Sequence, residues 1–190
     1  MKVKAKKQGK FLTNDGRTIT SYMDLHTVFA DIPLTKRLAH AIVESCFAPE
    51  LWCLPEVCDV WVVGVDFGGY PIARAIAEVL YEGYGLNAKP ILCRKKVKEY
   101  GDQDKFAPAL VPHKDTRIIV VEDVSARRVS IEKACNDVHE YFASSYMPLP
   151  IFAACSVIDR GSDRPLDIML CKRNVPYRSF IWDPEETIDG

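Results

Sequence analysis

Residues 59–65, DVWVVGV, form an almost unbroken apolar run. A strand with one wet face alternates apolar and polar residues, whereas a run without alternation is buried on both faces, as in a parallel sheet covered by helices. Three further runs have the same character: KPILCR at 89–94, RIIVV at 117–121 and PIFAACSVI at 150–158. LDIMLC at 166–171 is a fifth candidate strand. Helical spacing separates them. Leu34, Leu38, Ala41, Ile42 and Cys46 follow Pro33 at amphipathic intervals, as do Ile131, Ala134, Cys135, Val138, Tyr141 and Phe142. A helix through about Tyr81 follows Gly68-Gly69, with Pro71 expected at its first position. Strand–helix alternation predicts an α/β fold with a central, mostly parallel sheet, and ligands on such sheets bind beyond the carboxyl ends of the strands.

No repeat, low-complexity segment or linker divides the 190 residues, which predicts a single domain over 1–190. A net charge of -1 gives no whole-molecule reason to bind nucleic acid or an anionic membrane, so an anion site must come from local clustering of charge. The five lysines in residues 1–10 predict a solvated arm or a short edge element, followed by two extended pieces around the turn Asn14-Asp15-Gly16. The seven cysteines lack CxxC spacing and several lie in apolar runs, as reduced buried thiols do. Cys53 and Cys58 have no matching pair for zinc. No apolar stretch approaches 18 residues and the basic start is not followed by an apolar core, so no membrane span or signal peptide is expected. The expected setting is cytoplasmic.

Four constellations fall at the strand ends. Gly68 and Gly69 let backbone approach a ligand at a helix start, which favours an anion, or they serve the turn alone. Arg94, Lys95, Lys96 and Lys98 open a polar stretch to Lys105, either a solvated charged loop or a lid bringing cations onto a polyphosphate. Glu122 and Asp123 end a buried strand, where two carboxylates are costly unless sugar hydroxyls or a cation such as Mg²⁺ use them; acids facing solvent are the alternative. Asp159 and Arg160 follow the fourth strand, and the arginine fork suits a carboxylate or imide edge, or a surface ion pair.

In this order and spacing the four pieces resemble the type I phosphoribosyltransferases, with the greatest likeness to orotate phosphoribosyltransferase, over about residues 9–160. GKFLTNDGRTITSYMDL is similar to that family's G-x-F-x-L-x-S-G-R-x-S-x-x-Y-x-D segment, with Phe11, Gly16, Arg17, Tyr22 and Asp24 in register. VVGVDFGGYPIA resembles its pyrophosphate turn, RKKVKEYG its R-K-x-x-K-x-H-G lid, VVEDV its PRPP motif and VIDR its base-holding segment. The resemblance implies transfer of phosphoribose from PRPP to orotate, with Mg²⁺ carried by PRPP and no metal ligand assigned directly. It implies a small hood (residues 1–35), a core (36–175) and a flexible lid (93–106). Lys98 and Asp123 would be catalytic. Gly68, Gly69, Arg94, Lys95, Glu122, Ser125, Arg127, Arg128, Ser130 and Arg160 would bind substrate. A homodimer follows, the lid reaching the neighbouring subunit.

The chain departs from this pattern at three places. Tyr100 replaces the lid histidine, and His26 stands where an arginine is common. The T-T-G-G-S loop that grips the 5′-phosphate becomes Ala126-Arg127-Arg128-Val129-Ser130. Only Ser125 and Ser130 keep hydroxyls there, and a positive φ at β-branched Val129 would be strained. Arginine charge in place of a backbone nest would make this a rebuilt site. A phosphoribosyltransferase for another base and a non-catalytic nucleotide- or partner-binding module are the competing readings.

Overall fold

The computed structural model describes residues 6–12, 18–51, 58–95, 104–108, 115–143, 151–161, 168–170 and 175–183. A two-stranded antiparallel sheet, β1 (Lys6–Leu12) with β2 (Thr18–Met23), precedes the main body, so the basic start supplies an edge strand from Lys6 onward. Helices α1 (His26–Phe29) and α2 (Ile32–Ile42) follow; the Asp31 carboxylate caps α2 by accepting from the Leu34 N–H at 2.9 Å. The helix continues through a π-helical turn at Val43–Phe47 and ends in α3 (Ala48–Leu51).

The remaining elements are β3 (Asp59–Val65), α4 (Asp66–Tyr84), β4 (Asn87–Cys93), β5 (Phe106–Ala107), β6 (Arg117–Ser125), α5 (Val129–Ala143), β7 (Ile151–Asp159), β8 (Ile168–Leu170) and β9 (Val175–Trp182). The sheet order is β5-β4-β3-β6-β7-β9-β8, with β5 and β8 antiparallel at the edges and the other pairings parallel. This is a mostly parallel α/β sheet flanked by helices. Its apolar runs are continuous because both faces are covered. Val60, Val62, Ile119, Val121 and Cys155 pack towards α2 and α4, whereas Trp61, Val63, Ile118 and Val120 pack under Ile131, Cys135, Val138 and Phe142 of α5.

Two boundaries differ from the sequence expectation. Helix α4 starts at Asp66, so Gly68 and Gly69 lie in its first turn and Pro71 in its interior. Asp66 takes φ 57, which turns the chain sharply off β3 and lets the helix begin earlier than a proline at its first position implied. Strand β6 runs past its apolar stretch to Ser125, carrying the acid pair inside the strand. Parallel register then sets Val65 beside Cys93, Gly64 beside Val121 and Ser125 beside Asp159. Every described residue of the four constellations is thereby gathered at one rim of the sheet.

Candidate active site

Alternation along β6 sends Glu122 and Asp123 to opposite faces. Glu122 turns towards α5 and is 2% exposed. The hydroxyls of Ser125 and Ser130 hydrogen-bond its carboxyl group, yet its Oε2 is buried with no hydrogen-bond partner. Burial pushes its pKa up to about 7; the Asp123 charge adds to this, while Lys95 and the two hydroxyls oppose it. Asp123 turns towards α4. Burial raises its pKa too, against the backbone N–H groups of Val124 and Asp123 and the positive fields of Lys95 and His26. Glu122 is withdrawn from solvent, and Asp123 is half-buried. A buried carboxyl oxygen without a partner is costly, and a ligand hydroxyl or a hydrated cation would satisfy it. Among the described residues no group of three or more His, Cys, Asp or Glu could hold a metal ion.

The glycines explain how α4 comes so close. A Cβ on Gly68 would lie 2.5 Å from Asp123 Oδ2, and one on Gly69 would lie 2.6 Å from the Val121 carbonyl oxygen. The helix start therefore leans directly on the acid strand. From the other side, the Arg94 N–H donates to the Lys105 carbonyl at 2.9 Å and its guanidinium to the Asp104 carbonyl at 2.5 Å. These bonds close the base of the cationic loop; Lys95 is exposed beside it. A cavity of about 210 Å³ opens here, lined among others by Val65, Arg94, Lys95, Ser130 and Lys133. Lys96, Lys98, Tyr100 and Gly101, which carry the rest of the expected lid, lie outside the described residues.

The loop from Ser125 to Val129 is folded inward. The residue with a left-handed backbone is Arg128, at φ 60, while Val129 begins α5. That conformation costs a non-glycine residue roughly 1–2 kcal/mol. Its N–H donates to Ser125 Oγ at 3.1 Å, and its Nε donates to Asp159 Oδ2 at 2.8 Å. The guanidinium lies over the Tyr177 ring, 5.7 Å from the centroid. Asp159 is 0% exposed and also accepts from the Tyr177 hydroxyl and the Gly161 N–H, each at 2.7 Å. The Tyr177 hydroxyl in turn accepts from Ser156 Oγ at 2.6 Å. The Arg128 guanidinium thus turns onto Asp159 and Tyr177. Arg127 is exposed, and the hydroxyls of Ser125 and Ser130 serve Glu122.

Arg160 is 4% exposed and reaches the hood, donating to the Ser21 carbonyl at 2.9 Å and the Ser21 hydroxyl at 3.0 Å. The ion-pair partner of Asp159 is Arg128, 31 residues away, rather than a neighbour on its own loop. Asp24, in register with the family segment, pairs with Lys7 at 2.6 Å, and mainly that bond lowers its pKa. Tyr22 stacks near Phe11, ring centroids 5.7 Å apart.

No protein-family model matches the chain. It is 28% identical over 133 residues to the orotate phosphoribosyltransferase of Methanocaldococcus jannaschii, covering 70% of this chain and 65% of that protein. It is 29% identical over 136 residues to that of Methanosarcina acetivorans, covering 72% of this chain and 64% of the relative. The crystal structure of Aeropyrum pernix orotate phosphoribosyltransferase superposes with a TM-score of 0.66 at 22% identity, over 94% of this chain and 88% of that one. The chain is thus similar in sequence to orotate phosphoribosyltransferases and has the type I phosphoribosyltransferase fold. The fold extends to the Trypanosoma brucei adenine phosphoribosyl transferase, solved with AMP, pyrophosphate and ribose-5-phosphate: TM-score 0.53, 11% identity, 90% of this chain and 73% of that one. The matched stretch covers just under two thirds of the two archaeal relatives.

Three contributors to this phosphoribosyltransferase-fold site escaped sequence reasoning. Tyr177 and Ser156 support Asp159, and Ser21 receives Arg160. The only signal for Tyr177 was the weak alternation of VPYRSFIW, whose strand β9 inserts between β7 and β8.

Proposed function

We propose that the chain is an orotate phosphoribosyltransferase-like enzyme that transfers 5-phosphoribose from PRPP to orotate, giving orotidine 5′-monophosphate and pyrophosphate. The observation that carries this is the acid pair: a buried Glu122 oxygen lacking a partner, next to Asp123, which Gly68 abuts and Lys95 overlooks. Departure of pyrophosphate from C1 builds positive charge on the ribose and negative charge on the leaving group. Arg94, Lys95 and Lys98 answer the second, and Glu122 and Asp123 hold the ribose hydroxyls. Mg²⁺ bound to PRPP would supply further neutralisation of the pyrophosphate, with the acid pair placed to hold its water shell. Arg127 and the backbone N–H groups at the start of α5 take the 5′-phosphate. Arg160 orients the base and carries the hood over it. The Lys98 lid acts across a homodimer, so an active species that is strictly monomeric by light scattering would remove that part.

Purified protein with Mg²⁺, PRPP and orotate should lower the orotate absorbance in the ultraviolet. Lys98→Ala should remove at least about 100-fold of the rate with the fold intact. The absence of both turnover and PRPP binding by calorimetry would overturn the proposal. A second reading, a non-catalytic nucleotide-binding module, is favoured by the inward loop, whose hydroxyls and Arg128 are already engaged. It predicts nucleotide binding without turnover for orotate and for every other base tested with PRPP.

A further inference from the structure

We propose that Arg128 is a positioning residue: anchored on Asp159, it fixes the β6–α5 loop and ties it to the strand end that carries Arg160. The proposal rests on the phosphoribosyltransferase reading for its kinetic test, and on the loop's own geometry otherwise.

A phosphate-gripping loop of T-T-G-G-S type reaches its left-handed turn through glycine, which adopts that conformation without steric cost. Here the same turn is made by arginine, at φ 60. The side chain that makes the turn unfavourable also fastens it. The Arg128 N–H closes on Ser125 Oγ within the loop, and the guanidinium bridges out of it to Asp159. At the loop's other end the Arg160 N–H donates to the Ser125 carbonyl at 2.7 Å. Loop and β7 end are thus joined by two bonds, one through Arg128 and one through Arg160. A third tie, Trp182 Nε1–H to the Gly161 carbonyl at 3.0 Å, holds the residue after Arg160 against β9.

The guanidinium is held on three sides. Asp159 takes its Nε, the guanidinium carbon lies over the Tyr177 ring, and Gly161 leaves room for it: a Cβ there would lie 3.0 Å from an Arg128 terminal nitrogen. A point charge on a flexible stem cannot reproduce a planar fork that donates and stacks at once. The buried Asp159 also receives its balancing charge from this side chain. Arg128 is therefore engaged with Asp159 and Tyr177, while its neighbour Arg127 is exposed on the same loop. The position of Arg127 depends on the latch behind it. So does the aim of the N–H groups of Val129, Ser130 and Ile131, which precede the first helical bond, Glu132 N–H to Arg128 carbonyl at 2.9 Å.

Arg128→Gly separates this role from its opposite, a side chain that merely plugs a glycine loop. Glycine suits the backbone and clears the space. With the latch removed, KM for PRPP should rise about 10- to 100-fold while kcat changes less, because misplacement of a binding loop by about 1 Å has effects of that order. Arg128→Lys should recover little of it. Asp159→Asn should raise KM similarly, and the Arg128→Gly/Asp159→Asn pair should be no worse than either alone. Unchanged or tighter PRPP binding in Arg128→Gly overturns the proposal and marks Arg128 as a plug. If wild type neither binds nor turns over PRPP, the enzymatic reading fails and the latch is read by hydrogen exchange. Amides 127–131 should then exchange at least about tenfold faster in Arg128→Gly, with those of 135–142 unchanged. Equal exchange in both segments refutes it.

Discussion

Replacing Glu122 by glutamine should raise the stability of the protein at alkaline pH while destroying the activity proposed for it. The carboxyl is 2% exposed, and its pKa is pushed from an ordinary 4.5 up to about 7, chiefly by burial. The folded value lies above the unfolded one. Between pH 4.5 and about 7 the folded state therefore keeps a proton that the unfolded chain has already released. Stability attributable to this group is fullest below pH 4.5, falls as pH rises through that window, and levels off above about 7. Each pH unit in the window costs about 1.4 kcal/mol, which places the whole loss near ~3 kcal/mol. Glutamine keeps the shape and carries no charge at any pH. Urea unfolding at pH 5 and pH 8.5 should show the two proteins within about 1 kcal/mol of each other at pH 5. At pH 8.5 the variant should lead by about 2–3 kcal/mol, a midpoint shift on the order of 1 M. Other titrating groups are common to both proteins and cancel in the difference. A gap that does not widen between the two pH values would show that Glu122 is not held in a charge-excluding site. A wider gap with undiminished turnover would retain the electrostatics and remove the acid from the mechanism. A site that is destabilising when ionised is expected where the ligand, rather than the protein, completes the bonding.

Tyr177→Phe keeps the ring beneath Arg128 and deletes the hydroxyl between Ser156 and Asp159. Loss of a buried bond to a charged acceptor should cost about 2 kcal/mol, read as a lower urea midpoint at neutral pH; a change below about 0.5 kcal/mol would mean water replaces the hydroxyl. Gly68→Ala places a methyl 2.5 Å from Asp123 Oδ2, so the acid must swing away. PRPP binding by calorimetry should weaken about tenfold or more with little change in thermal midpoint, and unaltered affinity would remove Asp123 from the ligand site. Arg160→Ala leaves the buried Ser21 hydroxyl and carbonyl without these donors. Faster amide exchange across β2 and a raised KM for orotate are expected, and protection equal to wild type would show that other contacts hold the hood.

Much of the fold was legible because its signals are local. DVWVVGV can only be a doubly buried strand, and the stripe from Ile131 to Phe142 can only be a helix face. Glu122, Asp123, Arg94 and Lys95 were legible as a rim for the same reason, since each lies at the end of an apolar run, although β6 itself continues through the acid pair. What stayed hidden depends on partners distant in sequence. The choice of Arg128, rather than Val129, for the left-handed turn is settled by Asp159 and Tyr177, 31 and 49 positions further on. The start of α4 was misjudged because Pro71 looks like a first-turn residue, whereas the backbone turn at Asp66 is set by how closely Gly69 must approach β6. Arg160 reads as a ligand fork from its neighbours alone; its bonds to Ser21 cross 139 residues.

Among the described residues the hood shares no strand pairing with the main sheet: β1 and β2 form a sheet of their own. Its attachment includes two ties of unlike character. Lys6 meets Asp183 at 2.8 Å in water, whereas Arg160 meets Ser21 out of it. Added salt screens the first and barely touches the second. Ionic strength should therefore loosen the outer strand of the hairpin while its inner strand stays seated, so that the hood opens as a flap from one edge instead of lifting off whole.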